Sequence, residues 1–190
     1  MPNIQVILGS TRQGRSGDKV ASWFMEHARA RTALDAELVD LRDWPLPFFD
    51  QPLPPAMGSP TDALQQRWAR QVARADGFVL VAPEYNHGYP AVLKNALDHL
   101  YAEWNGKPVA FVGYGGSGGG LRAVEQLRQV VVELEMVPLR QQVAIAGAHG
   151  AFDEQGRLRD AARYDAQAGA LLDELTRWTS VLATARRLTA

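Results

Sequence analysis

The chain has 190 residues, 46% of them hydrophobic and 22% charged, which suits one domain spanning 1–190 with a core that needs no covalent staple. Its formal net charge of −1 offers no broad field for nucleic acid or an anionic membrane, so any anion must be held locally. Cysteine is absent, which excludes disulfides, thiol nucleophiles and thiolate metal sites and leaves any redox chemistry to a borrowed cofactor.

Met1-Pro2-Asn3 runs straight into an apolar stretch without the basic and apolar regions of a signal peptide, so a cytoplasmic protein is expected. Ile4 to Leu8 reads as a buried strand. It opens into Gly9-Ser10-Thr11-Arg12-Gln13-Gly14-Arg15-Ser16-Gly17, and a helical pattern follows at once through Val20, Phe24 and Ala28, from about Gly17 to Arg31. A glycine-rich loop with hydroxyls and arginines ahead of a helix is a phosphate cradle: its amides point at the anion, and the side chains add neutral and charged donors.

Ala36 to Leu41 reads as a second strand. Residues 42 to 60 carry six prolines together with Trp44, Leu46, Phe48, Phe49 and Leu53, the composition of a stiff loop that packs on a cofactor, a substrate or a neighbouring subunit. Thr61 is placed to cap a helix through Leu64, Trp68, Val72 and Ala75. Phe78 to Ala82 is apolar throughout, as in a strand covered on both faces, and it delivers Pro83-Glu84-Tyr85-Asn86 ahead of a helix with Val92, Leu93, Ala96, Leu97 and Leu100 inward. Pro108 to Val112 is a fourth strand ending in Gly113-Tyr114-Gly115-Gly116-Ser117-Gly118-Gly119-Gly120. A long helix follows, then a strand over Val137 to Ala146 and a last helix over 161 to 187.

Five strands separated by helices predict an α/β fold: a three-layer sandwich with a flavodoxin-like parallel sheet of order 2-1-3-4-5 and right-handed crossovers. Ligands of such sheets bind beyond the carboxyl ends of the strands at the switch point. The three unusual loops follow strands 1, 3 and 4 and should therefore meet at one site.

Competing motifs fit less well. The first loop departs from a nucleoside-triphosphate loop at Arg15, where a compact Lys is required, and no hydrophobic strand ends in an Asp to hold Mg²⁺, strand 3 ending in Pro83-Glu84. Gly113-x-Gly115-x-x-Gly118 matches a dinucleotide fingerprint, but Glu133 falls within a helix rather than after the next strand. Gly115-Gly116-Ser117-Gly118-Gly119 also fits a hydrolase elbow, yet no Asp lies between Ser117 and His149. The four histidines lack metal-ligand spacing, and His87 alone stands near the expected site. Tyr85 is suited to flank a planar ring and Asn86 to present its amide to it.

Taken together, Gly9-Ser10-Thr11-Arg12 with Ser16, the segment Leu46 to Asp50, Pro83-Glu84-Tyr85-Asn86 with Pro90 and Leu93-Lys94-Asn95, and the Gly115 to Gly119 run resemble the NADPH-dependent FMN reductase family. The family includes quinone, chromate and azo-dye reductases, and the resemblance covers roughly residues 4 to 146. It implies FMN phosphate held by Ser10, Arg12 and Ser16 with help from Thr11 and Arg15, and the isoalloxazine against Pro83, Glu84, Tyr85, Asn86, Gly115, Gly116 and Ser117. It further implies NADPH, with NADH possible, as hydride donor, a quinone, free flavin, azo compound or metal oxyanion as acceptor, and no catalytic residue beyond the flavin. Members are usually homodimers or homotetramers; loop 44–53 and the Leu93 to Trp104 helix form the expected interface, roofing a partner's flavin. The sequence departs from many members at Gly17, where Asn is frequent, and at Gly88 and Ala91. A flavodoxin-like carrier without NAD(P)H oxidation is the alternative; carriers tend to be strongly acidic, unlike this chain.

Overall fold

The computed structural model describes residues 1–189, with side chains through Leu188. In chain order it contains β1 (Asn3–Leu8), α1 (Gly17–Arg29), β2 (Asp35–Asp40), a 3₁₀ turn (Leu41–Asp43), α2 (Ala63–Ala73) and β3 (Gly77–Pro83). These are followed by α3 (Ala91–Asp98), β4 (Pro108–Tyr114), α4 (Leu121–Glu133), β5 (Val137–Ile145) and α5 (Ala161–Thr189). The strands form one parallel sheet in the order β2-β1-β3-β4-β5, as the alternation of strands and helices predicts.

Period-two alternation sorts the strand side chains between two cores. Val79, Val81, Ala110 and Val112 join residues of α1 and α5 on one face. Phe78, Leu80, Val109 and Phe111 join residues of α2, α3 and α4 on the other. β3 and β4 are buried along their whole length, which is why they read as unbroken apolar runs.

The proline-rich segment after the 3₁₀ turn is fastened by side chains rather than by a ladder. Asn95 accepts from the Phe49 amide at 3.0 Å and donates to the Pro47 carbonyl at 2.8 Å. His99 Nε2 donates to the same carbonyl at 2.9 Å, with the His99 ring edge-on to Phe49. Trp44 packs on Trp68 at 5.0 Å between ring centres, and the Arg67 guanidinium lies 4.6 Å over its ring. Leu93, Ala96, Leu97 and Leu100 face inward as their spacing predicts, and Trp104 is buried with them. The partly or fully exposed apolar surface here belongs to Leu46, Phe48, Ala91 and Val92.

Asp62 rather than Thr61 caps α2: its carboxylate accepts from the Gln65 amide at 2.9 Å, and the Gln65 side chain returns a bond to the Thr61 amide at 3.0 Å. This is a reciprocal cap shifted by one residue. At the other end of α2, the buried Lys107 ammonium donates to the Val72 and Ala73 carbonyls at 3.1 and 3.2 Å. A cation there meets the negative end of the helix dipole. No helix among the described residues is long and apolar enough to cross a membrane.

Burial, reinforced by Arg186, lowers the Lys107 pKa to about 8. Between that value and the ordinary 10.5 the unfolded chain holds a proton that the folded chain has released. Stability therefore rises with pH across this window, by up to about 3 kcal/mol. Denaturant unfolding of wild type and Lys107→Met should show wild type gaining on the variant as pH climbs through the window; a pH-independent difference would contradict the assignment.

Candidate functional site

The register brings the three loops side by side. Leu8 of β1 pairs with Val81 of β3, and Pro83 at the end of β3 pairs with Tyr114 at the end of β4. Each ladder runs one bond further: Gly9 donates to the Val81 carbonyl at 2.9 Å, Glu84 to Tyr114 at 2.9 Å and Gly115 to Ile145 at 3.2 Å. The loops leave the sheet from fixed points and enclose a cleft of about 320 Å³. Arg12, Ser16, Tyr85, Gly115 and Gly116 line it.

In the first loop, Ser10 is buried and its hydroxyl lies 2.7 Å from the Tyr85 hydroxyl, which ties the loop after β1 to the loop after β3. Arg15, expected to help hold phosphate, is committed elsewhere. Its Nε and Nη2 donate to Asp18 at 2.8 and 2.6 Å, Nη1 donates to Asp40 at 2.8 Å, and the guanidinium also bonds the Ser10 carbonyl and the second Asp40 oxygen. Hydrogen bonding and charge from Arg15 outweigh burial at Asp40 and hold its carboxyl below its ordinary pKa. Arg15 thus joins the loop to the end of β2 and the first turn of α1. Arg12 is exposed, and its guanidinium has no partner among the described residues.

Ser16 occupies the N-cap of α1 but makes no side-chain capping bond. Among the described residues, no protein acceptor takes the amides of Gln13 to Asp18. A helix start normally satisfies some of these donors internally. Here a row of amides and a hydroxyl is left for an anion, with the helix dipole behind them. Thr11 is exposed at the rim.

The second loop is a tight hairpin. Tyr85 and Gly88 exchange bonds of 2.8 and 2.9 Å, and the central residues Asn86 and His87 have φ of 51° and 70°. That is a type I′ turn, in which Asn is favoured and His is strained. Glu84 lines the cleft with its carboxylate tied down: it accepts from the Arg122 amide at 3.1 Å and from Arg122 Nε at 2.7 Å. These bonds lower its pKa and bind the hairpin to the first turn of α4.

The third loop turns sharply at Gly120, where φ is 87° and a Cβ would stand 2.5 Å from the Tyr114 amide. The Gly115 amide, expected to face a ring, is spent on Ile145, which leaves those of Gly116 and Ser117 without protein partners among the described residues. Ser117 and His149 share no hydrogen bond, and Glu125 and Glu135 pair with Arg128 and Tyr101, so no hydrolytic triad forms among the described residues. His149 also lines the cleft, a place that its sequence context did not announce. The signal available was the strand order, since the segment after β5 must emerge beside the end of β4.

Residues 2–150 match the family model of the NADPH-dependent FMN reductases. The chain belongs to that family. It is 50% identical over 137 residues to an NAD(P)H-dependent FMN reductase of Schizosaccharomyces pombe, covering 71% of this chain and 68% of that one. It is 32% identical over 186 residues to a quinone reductase of Pseudomonas putida, covering 94% and 95% of the two chains. The fold is shared with the flavoenzyme NAD(P)H:(acceptor) oxidoreductase FerB of Paracoccus denitrificans, at a TM-score of 0.74 and 22% identity over 95% of this chain and 98% of that one. As a family member the chain is an NAD(P)H-dependent flavin oxidoreductase.

Arg15→Lys keeps the charge but loses the planar fork that serves two carboxylates and a carbonyl at once. The substitution should lower stability by about 1–3 kcal/mol, read from denaturant midpoints. An unchanged midpoint would mean that the fork does not hold the loop.

Proposed function

We propose that this reductase holds FMN in the cleft beyond β1, β3 and β4, the phosphate on the first loop and the ring between the second and third. The observation that carries this reading is the row of unpartnered amides from Gln13 to Asp18, joined by the free Ser16 hydroxyl and the unpaired Arg12 guanidinium. One terminal phosphate fits such a donor set, with Ser10 and Thr11 at its edge. Bound FMN supplies the capacity to take hydride from NADPH or NADH and pass two electrons to a second acceptor.

The chain's own residues bind and orient. Arg12 supplies the charge and Ser16 a neutral donor, while Arg15 acts through the loop it braces. Pro83 and the Tyr85–Gly88 turn form a rigid wall for a planar ring, positioned by the ion pair of Glu84 with Arg122. The Gly116 and Ser117 amides offset negative charge gathering on the polar edge of the ring. The flavin carries the chemistry, so no acid or base is assigned among the chain's residues.

The quinone reductase likeness along 94% of the chain supports a quinone as acceptor. Leu46, Phe48 and Val92 form an apolar patch with Phe48 81% exposed, which supports a homodimer or homotetramer built across this face. A cysteine-free chain without a membrane-crossing helix among its described residues is compatible with the cytoplasm.

The protein purified with FMN should be yellow and should bleach on anaerobic addition of NADPH. A protein that takes up no FMN contradicts this reading, and colour without bleaching would make it a carrier. Arg12→Ala should weaken FMN binding by about tenfold or more, measured by quenching of flavin fluorescence.

A further inference from the structure

Tyr114, the last residue of β4, is 4% exposed, and its hydroxyl has no hydrogen-bond partner among the described residues. Buried hydroxyls are nearly always paired, because an unpaired one forfeits its bonds to water without return. The hydroxyl lies directly against the first turn of α1. A Cβ at Gly17 would collide with it, and would stand 3.3 Å from the ring carbon that carries it and 2.9 Å from Leu8 Cδ1. Residue 17 is thus glycine for a spatial reason: the phenol from β4 fills the place of its side chain.

Two donors meet at this point. The Gly17 amide is one of the unpartnered row, and the Tyr114 hydroxyl is unpaired beside it. Asp18 and Asp40 are bound by Arg15, and the Ser10 hydroxyl, paired with Tyr85, is near enough to favour the phenolate but makes no hydrogen bond with the phenol. Burial raises the phenol's pKa, so it keeps its proton and remains a donor. Tyr114 also lines the cleft that contains Arg12 and Ser16.

We propose that the Tyr114 hydroxyl donates to an oxygen of the FMN phosphate, doing from β4 what a polar side chain at position 17 would do from α1. Tyr114 is then a phosphate-recognition residue that helps the protein choose FMN over riboflavin. This rests on the FMN reading above.

The test is a titration of the flavin-free full-length protein with FMN and with riboflavin, followed by fluorescence quenching, for wild type and Tyr114→Phe. The variant should bind FMN about tenfold or more weakly, the loss of one hydrogen bond to a charged group, and riboflavin within about twofold of wild type. Without flavin it should melt no lower than wild type, because only an unpaired hydroxyl has been removed. Gly17→Ala should also weaken FMN, and combining it with Tyr114→Phe should cost no more than the worse single change. Unchanged FMN affinity in Tyr114→Phe would overturn the proposal and leave the hydroxyl to a buried water. Equal losses for FMN and riboflavin would overturn it too, as a general disturbance of the cleft. Wild type that binds neither flavin would instead overturn the cofactor reading.

Discussion

The structure around the cleft depends on one buried cation. Arg15 lies beneath the first loop with its guanidinium shared between Asp40, Asp18 and the Ser10 carbonyl. Removing such a group from water is costly unless its donors are matched, and here two carboxylates and a carbonyl match them. The outcome is a loop pinned on its inner side to β2 and α1. Because the pinning uses carbonyl and side-chain groups, the amides from Gln13 to Asp18 stay without protein acceptors. The proposed anion site is therefore held open in advance, which would lower the ordering cost of binding.

The other loops are held on the same plan, by bonds to neighbouring segments. The hairpin after β3 accepts two left-handed residues, and Glu84 anchors it to the start of α4. The Ser10–Tyr85 hydroxyl contact links it to the first loop. The loop after β4 is stitched to the segment after β5, with Gly147 donating to Gly116 at 2.9 Å and Ala148 to Gly115 at 2.8 Å. Loops from distant parts of the chain thus form one rigid mouth, a suitable setting for a reaction whose chemistry a cofactor carries.

The fold was legible because its signals are periodic. Fully apolar runs at Phe78 to Ala82 and Pro108 to Val112 mark strands covered on both faces, and the helices between them force parallel order. The convergence of the three loops follows from that order. What could not be read was the direction of individual side chains. Arg15 and Arg12 look alike in a glycine-rich loop, and only the approach of Asp40, from the end of a different strand, separates the brace from the free cation. Gly115 loses its amide to Ile145 through a ladder that composition does not reveal. Gly17 looked like a missing donor, whereas the space beside it is filled by a tyrosine nearly 100 residues away.

The most direct measurement is a crystal structure of the full chain grown with FMN. The account predicts the phosphate within hydrogen-bond distance of the amides between Gln13 and Asp18, with Arg12 and Ser16 on it and Arg15 still on Asp40. The ring should lie between the Tyr85–Gly88 turn and the Gly116–Ser117 amides. FMN seated away from this cleft, or its phosphate outside the first loop, would contradict the account.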